Sequence, residues 1–153
     1  TTRILSYLFK KVITVDMPNE FERRILGSGQ AADINKDRDN ITYTPLDLYR
    51  DNWNFEEQDV VFIDADHCMN SCISDIDNSL KLVSNGGYLV FDDFSNPSDE
   101  YGVRKSVNQY IESGILVADK FIGEEDTTSF FTHTVSVDKL NGTPEGVICR
   151  VVI

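Results

Sequence analysis

The sequence predicts a doubly wound α/β fold: a mostly parallel sheet with helices on both faces. Three observations carry this. Apolar runs of strand length alternate with segments of helical periodicity along the chain. The clearest run, DVVFI at Asp59–Ile63, is almost uninterrupted, as a strand covered on both faces requires. Strand after strand then ends in an acid, at Asp16, Asp47, Asp64 and the pair Asp92 and Asp93.

Taken in order, Thr1–Phe9 places Ile4, Leu5 and Leu8 on one helical face. Lys11–Val15 is a β-branched run that ends at Asp16. Pro18 to Asn35 is polar with weak helical spacing, interrupted by Gly27 and Gly29. Asn40–Pro45 is the next strand, followed by Asp47. After Asp59–Ile63, the spacing of Ile73, Ile76, Leu80 and Val83 predicts a helix over Asn70–Val83. Asn85-Gly86-Gly87 is expected to stop it, because glycine supplies the left-handed conformation of a helix C-terminus. Tyr88–Phe91 is a strand. Ser98 is expected to cap a helix whose core face is Val103, Val107, Tyr110 and Ile111. Leu116–Ile122, Phe130–Val137 and Val147–Ile153 read as strands, the last two joined through Asn141-Gly142-Thr143-Pro144 as a hairpin forming an antiparallel edge. The arrangement is Rossmann-like.

The chain has 153 residues, 41% of them hydrophobic, which is enough for one domain with a real core. No apolar run is long enough to span a bilayer, and no signal segment opens the chain; the expected location is the cytoplasm. The formal net charge of -12 repels phosphate backbones and anionic lipid, which argues against nucleic acid or a membrane as partner. The cysteines, Cys68, Cys72 and Cys149, are odd in number and form no C-x-x-C pair, so no disulfide framework is expected. His67, Cys68 and Cys72 lack a fourth ligand at the spacing of a soft-metal site.

Acids beyond the carboxyl ends of parallel strands line the crevice where ligands of such sheets bind. One is unremarkable, since Asp forms turns readily; several in register suggest a site. Asp16, after the second strand of such a fold, can accept both hydroxyls of a ribose. Asp64, Asp92 and Asp93 come from two strands joined by one helix. If those strands are neighbours, three carboxylates crowd together, and either some are protonated or a cation sits among them. Oxygen donors without thiolate suit Mg²⁺, Mn²⁺ or Ca²⁺. His67 can serve as a general base for a substrate hydroxyl, or can be a helix-start residue bonded to a neighbouring acid. Trp53, Phe94 and Tyr101 can stack on a ligand or simply pack. His133 has no partner pattern and reads as structural.

The run DVVFIDADH, a helix, then LKLVSNGGYLVFDDF and YGVRKSVNQYI resembles the metal-dependent class I S-adenosylmethionine-dependent O-methyltransferases. The branch it is most similar to includes macrolide-sugar and cephalosporin-type methyltransferases, and the resemblance covers Thr1 to Ile122. It implies Asp64, Asp92 and Asp93 as ligands of Mg²⁺ or a similar divalent cation, and His67 as the catalytic base. It implies Asp16 at the cofactor ribose, Asp47 near the adenine, and Asp64 facing the cofactor as well. The expected acceptor is a hydroxyl of a small molecule, for instance a sugar.

The family's first strand and glycine-rich loop fall upstream of Thr1, so residues 1–153 are expected to form a single domain truncated at its N-terminus. Gly27-Ser28-Gly29 follows a helical stretch, ERRIL, and does not replace that loop. A homo-oligomer that closes open strand edges is compatible with the gap. A non-catalytic ligand-binding or assembly relative is the rival reading. A dehydrogenase would need G-x-G-x-x-G between strand and helix, which the sequence lacks.

Overall fold

The computed structural model describes residues 1–95, 102–123 and 144–152. The chain forms two compact units, Thr1–Trp53 and Asn54–Ile153.

The first unit contains α1 (Thr2–Leu8), β1 (Val12–Asp16), α2 (Pro18–Phe21) continuing into a π-helical turn (Glu22–Leu26), α3 (Ala31–Ile34) and β2 (Ile41–Pro45). The strands β1 and β2 pair in parallel, Val12 opposite Ile41 and Asp16 opposite Pro45. The C-terminal carbonyls of α1 would otherwise lack partners. Asn40 Nδ2 donates to the carbonyls of Ser6 and Phe9, both at 2.9 Å. The Arg38 guanidinium donates to the Ser6 carbonyl and lies 4.2 Å from the centre of the Tyr7 ring. These ties hold α1 by its Ser6 side. On the face that carries Ile4, Leu5 and Leu8, Leu5 is half-buried while Ile4 is 65% and Leu8 69% exposed.

The second unit contains β3 (Gln58–Ile63), α4 (Met69–Leu80), β4 (Val83–Phe91), α5 (Val103–Glu112), β5 (Leu116–Ile122) and β6 (Gly146–Val151). Its sheet runs in the order β3-β4-β6-β5. β3 and β4 are parallel, and β6 is antiparallel to both β4 and β5. Ile76 of α4 and Val107 of α5 pack in one core with Leu89, Val147 and Val151 of the sheet, all fully buried. Among the described residues, no helix is long and apolar enough to cross a membrane.

Four expectations change. The helix α4 ends at Leu80 with Lys81 as C-cap, and Val83 already belongs to β4. Val83 shares the core with Ile76, so burial alone makes it continue the helical spacing. Asn85-Gly86-Gly87 is therefore no helix stop. It lies in a bulge where the β3–β4 register passes from Gln58 opposite Val83 to Val60 opposite Tyr88. Gly86 takes φ +89°, and a Cβ on Gly87 would come within 2.6 Å of Val83 Cγ1 and 3.0 Å of the Asp59 carbonyl oxygen.

The antiparallel strand is not an edge either. β6 is inserted between β4 and β5, and Val147, Cys149 and Val151 are buried as an interior strand requires. The N-cap of α5 is Gly102 rather than Ser98. Ser98, Tyr101, His133, residues 130–137 expected as a strand, and Asn141, Gly142 and Thr143 of the expected turn lie outside the described residues.

Asp75 of α4 is only 1% exposed, and neither carboxyl oxygen has a hydrogen-bond partner among the described residues. Desolvation, with a contribution from the charge of Asp66, pushes its pKa up to about 7. A carboxyl whose folded pKa exceeds its unfolded value costs nothing while both states are protonated. The cost grows as pH rises from the unfolded value and is complete above the folded one. Denaturant unfolding of wild type and Asp75→Asn should therefore show the variant gaining on wild type between pH 5 and pH 8, by a few kcal/mol in order of magnitude. A difference that does not change with pH would contradict this.

Candidate active site

The site is built by the parallel ladder. Ile63 of β3 sits opposite Phe91 of β4, so Asp64 and Asp92 leave the sheet side by side, with the Asp92 N–H donating to the Ile63 carbonyl at 3.1 Å. Asp93 follows in the left-handed region at φ 54°, which Asp tolerates better than most residues. Its N–H donates to Asp92 Oδ1 at 3.0 Å. That turn brings Asp93 Oδ2 to 3.0 Å from His67 Nε2. One donor atom each from Asp64, His67 and Asp93 lie within 4.8 Å of one another.

The electrostatics follow from this crowding. Partial desolvation raises the pKa of Asp64, and the charges of Asp92 and Asp93 raise it further, with His67 opposing. Asp66 behaves in the opposite way. The Ser71 hydroxyl donates to its carboxylate at 2.7 Å and holds it below the usual range. Asp66 thus organises the start of α4, while Asp64 faces the cluster. The cleft is lined by Asp64, His67 and Asp92, none of them buried, and by the buried Cys72, Val103 and Val107.

Glu145 escaped the sequence reading. It immediately precedes β6, and its carbonyl accepts the Phe94 N–H at 2.5 Å. Desolvation raises its pKa, and so do the charges of Asp92 and Asp93. A parallel strand presents its C-terminal residues at this end of the sheet; an antiparallel strand presents its first ones. An acid before an antiparallel strand is the signal that finds it.

The structure therefore brings Asp64, His67, Asp92 and Asp93 together within the second unit. Asp16 and Asp47 belong to the first unit, at the carboxyl ends of the paired β1 and β2. Asp16 Oδ1 accepts the Met17 N–H at 2.8 Å. Asp47 Oδ1 accepts the Tyr49 N–H at 3.1 Å, so part of its capacity goes to its own loop. Trp53 donates to the Leu48 carbonyl, and Phe94 is buried against Phe121. Cys72 is buried, donates to the Asp66 carbonyl and has its thiol pushed up to about 11, which does not suit a thiolate ligand.

Residues 6–94 match the family described as a methyltransferase domain, and the chain belongs to that family. An uncharacterized protein, R132 of Acanthamoeba polyphaga mimivirus, is 38% identical over 53 residues. That match covers 35% of this chain and 24% of the viral protein. Among solved structures, the chain is similar to the N-methyltransferase NodS of Bradyrhizobium japonicum WM9. The TM-score is 0.59 at 18% identity, covering 94% of this chain and 75% of that one. It is also similar to the O-methyltransferase TomG of Streptomyces achromogenes, solved in complex with SAM. There the TM-score is 0.57 at 17% identity, covering 94% of this chain and 62% of that one. These likenesses establish the Rossmann-like fold.

Like charges held together for a ligand cost stability when the ligand is absent. Asn at position 92 can still accept the Asp93 N–H. In EDTA at neutral pH, Asp92→Asn should raise Tm by roughly 2–4 °C, the scale of about 1 kcal/mol in a domain of this size. A fall in Tm on calorimetry would show that the carboxylates are not in net repulsion.

Proposed function

We propose that the chain is the body of an S-adenosylmethionine-dependent O-methyltransferase that uses a divalent cation and acts on a hydroxyl of a small molecule, such as a sugar. The observation that carries this is the convergence of Asp64, His67 and Asp93 at the carboxyl ends of two parallel strands. Family membership and the likeness to an O-methyltransferase support it. The net charge of -12 favours a small acceptor over a nucleic acid.

The donor set fits a hard cation. Asp64 and Asp93 offer carboxylate oxygens, with Asp92 close enough to raise the pKa of Asp64 and the His67 imidazole beside them. Asp64 and Asp93 would hold Mg²⁺ or a similar ion, with Asp92 beside them. When bound, such a cation supplies Lewis acidity toward a hydroxyl, and S-adenosylmethionine supplies an electrophilic methyl group.

The chain's own residues do the rest. His67 takes the hydroxyl proton. Asp93, at 3.0 Å, orients the imidazole and stabilises it once protonated. Val103 and Val107, buried and apolar, line the same cleft and would keep water from it. As the family resemblance implies, Asp16 would accept the ribose hydroxyls of the cofactor, with Asp47 assigned to the adenine and Asp64 to the methyl donor.

The test uses the full-length protein, S-adenosylmethionine and a panel of sugar hydroxyl acceptors. Calorimetry should show cofactor binding, and methyl transfer should fall at least about tenfold in EDTA, in Asp64→Asn and in His67→Gln. Transfer that survives chelation unchanged would remove the cation from the account. Absence of cofactor binding would favour a non-catalytic relative.

A further inference from the structure

The segment that carries His67 is held from outside itself. The Gly102 N–H donates to the His67 carbonyl at 2.5 Å. Gly102 is the N-cap of α5, with φ -89° and ψ 0°, a conformation open to any residue. Space, rather than backbone freedom, calls for glycine here. A Cβ at this position would lie 2.2 Å from Met69 Cα, 2.4 Å from Met69 Cβ and 2.6 Å from Met69 N. Two of these are backbone atoms, so no rotamer change relieves the clash. One turn on, the buried Ser106 hydroxyl donates to the Met69 carbonyl at 3.3 Å, and the Ser106 N–H donates back to the Gly102 carbonyl at 2.7 Å. The first turn of α5 therefore fastens both the residue that carries the imidazole and the first residue of α4.

We infer that Gly102, with Ser106 behind it, is a positioning residue that sets the approach of the His67 imidazole to Asp93. The inference rests on the proposed role of His67, which acts only if its ring stays in that place. The leverage is geometric. The His67 carbonyl is fixed from Gly102 and its ring is fixed from Asp93, so a shift at residue 102 moves one anchor and not the other. Relief of a 2.2 Å approach to ordinary contact needs a displacement of roughly 1 Å or more, which is enough to break a 3.0 Å hydrogen bond. Ser106→Ala removes the second fastening without the clash.

The experiment reads His67 directly, without substrate. In full-length protein labelled with ¹⁵N-histidine, the His67 ring signals are assigned by their loss in His67→Gln. At fixed pH and without metal, Asp93→Asn defines the signature of a broken His67–Asp93 contact. Gly102→Ala should reproduce most of that change, and Ser106→Ala a smaller part in the same direction. Affinity for S-adenosylmethionine should stay within about twofold of wild type in both variants, which a general loss of structure would not allow. In wild type, the Gly102 amide should exchange with solvent at least about a hundredfold more slowly than an unbonded loop amide.

Folded Gly102→Ala with wild-type His67 ring signals would overturn the inference. If that variant does not fold, unmoved ring signals in Ser106→Ala or fast exchange at the Gly102 amide would overturn it. Failure of the methyltransferase reading is a separate result: wild type would bind no cofactor while the ring signals still respond to residue 102.

Discussion

The parallel pairing of β3 with β4 is the constraint on which the candidate site depends. With Ile63 opposite Phe91, the next residue of each strand is an aspartate, and the two emerge together. The turn at Asp93, with its positive φ, adds a third carboxylate, and the insertion of β6 beside β4 adds Glu145. Nothing in the hydrophobic core requires this charge. It is tolerated in part because two helices begin alongside it: α4 shortly after His67, and α5 at the residue bonded to the His67 carbonyl. Helix N-termini carry partial positive charge and favour nearby anions. The residual repulsion remains in the raised pKa values of Asp64 and Glu145.

Register protects this arrangement. A slip of one residue between β3 and β4 would send every side chain of one strand to the opposite face and separate Asp64 from its neighbours. The bulge at Gly86-Gly87 lets β4 leave its pairing with Gln58 and resume at Val60, after which the ladder runs unbroken to the acids. Close packing at Gly87 and at Gly102 serves the same end from two sides. One sets where the strand delivers its aspartates, and the other where the facing loop delivers its histidine. Asp75 and Ser79 of α4 are buried, and their side-chain oxygens have no hydrogen-bond partner among the described residues.

Much of this was legible in the sequence, for local reasons. The Asp59–Ile63 run, the helix around Ile76 and the acids at strand ends depend on short-range pattern and chain direction, and they stand where the pattern puts them. The failures share a cause in long-range packing. Val83 reads as helix because it is buried with Ile76, although it lies on a strand. Asn85-Gly86-Gly87 is ordinary turn chemistry until a neighbouring strand makes it a bulge. Glu145 is just over 80 residues from Asp64 and joins the site only because β6 runs antiparallel between β4 and β5. Ile4 and Leu8 satisfy a helical stripe that is left exposed. A one-dimensional pattern reports which residues can be buried, and not what covers them.

Central to the proposed function is a divalent cation held by the acids at the ends of β3 and β4, with His67 beside it as the base. Anomalous diffraction from crystals of the full-length protein grown with Mn²⁺ tests it most directly. The account predicts a manganese peak within coordination distance, about 2.0–2.3 Å, of carboxylate oxygens of Asp64 and Asp93. Manganese bound only elsewhere, with Asp64 and Asp93 unliganded, would contradict it.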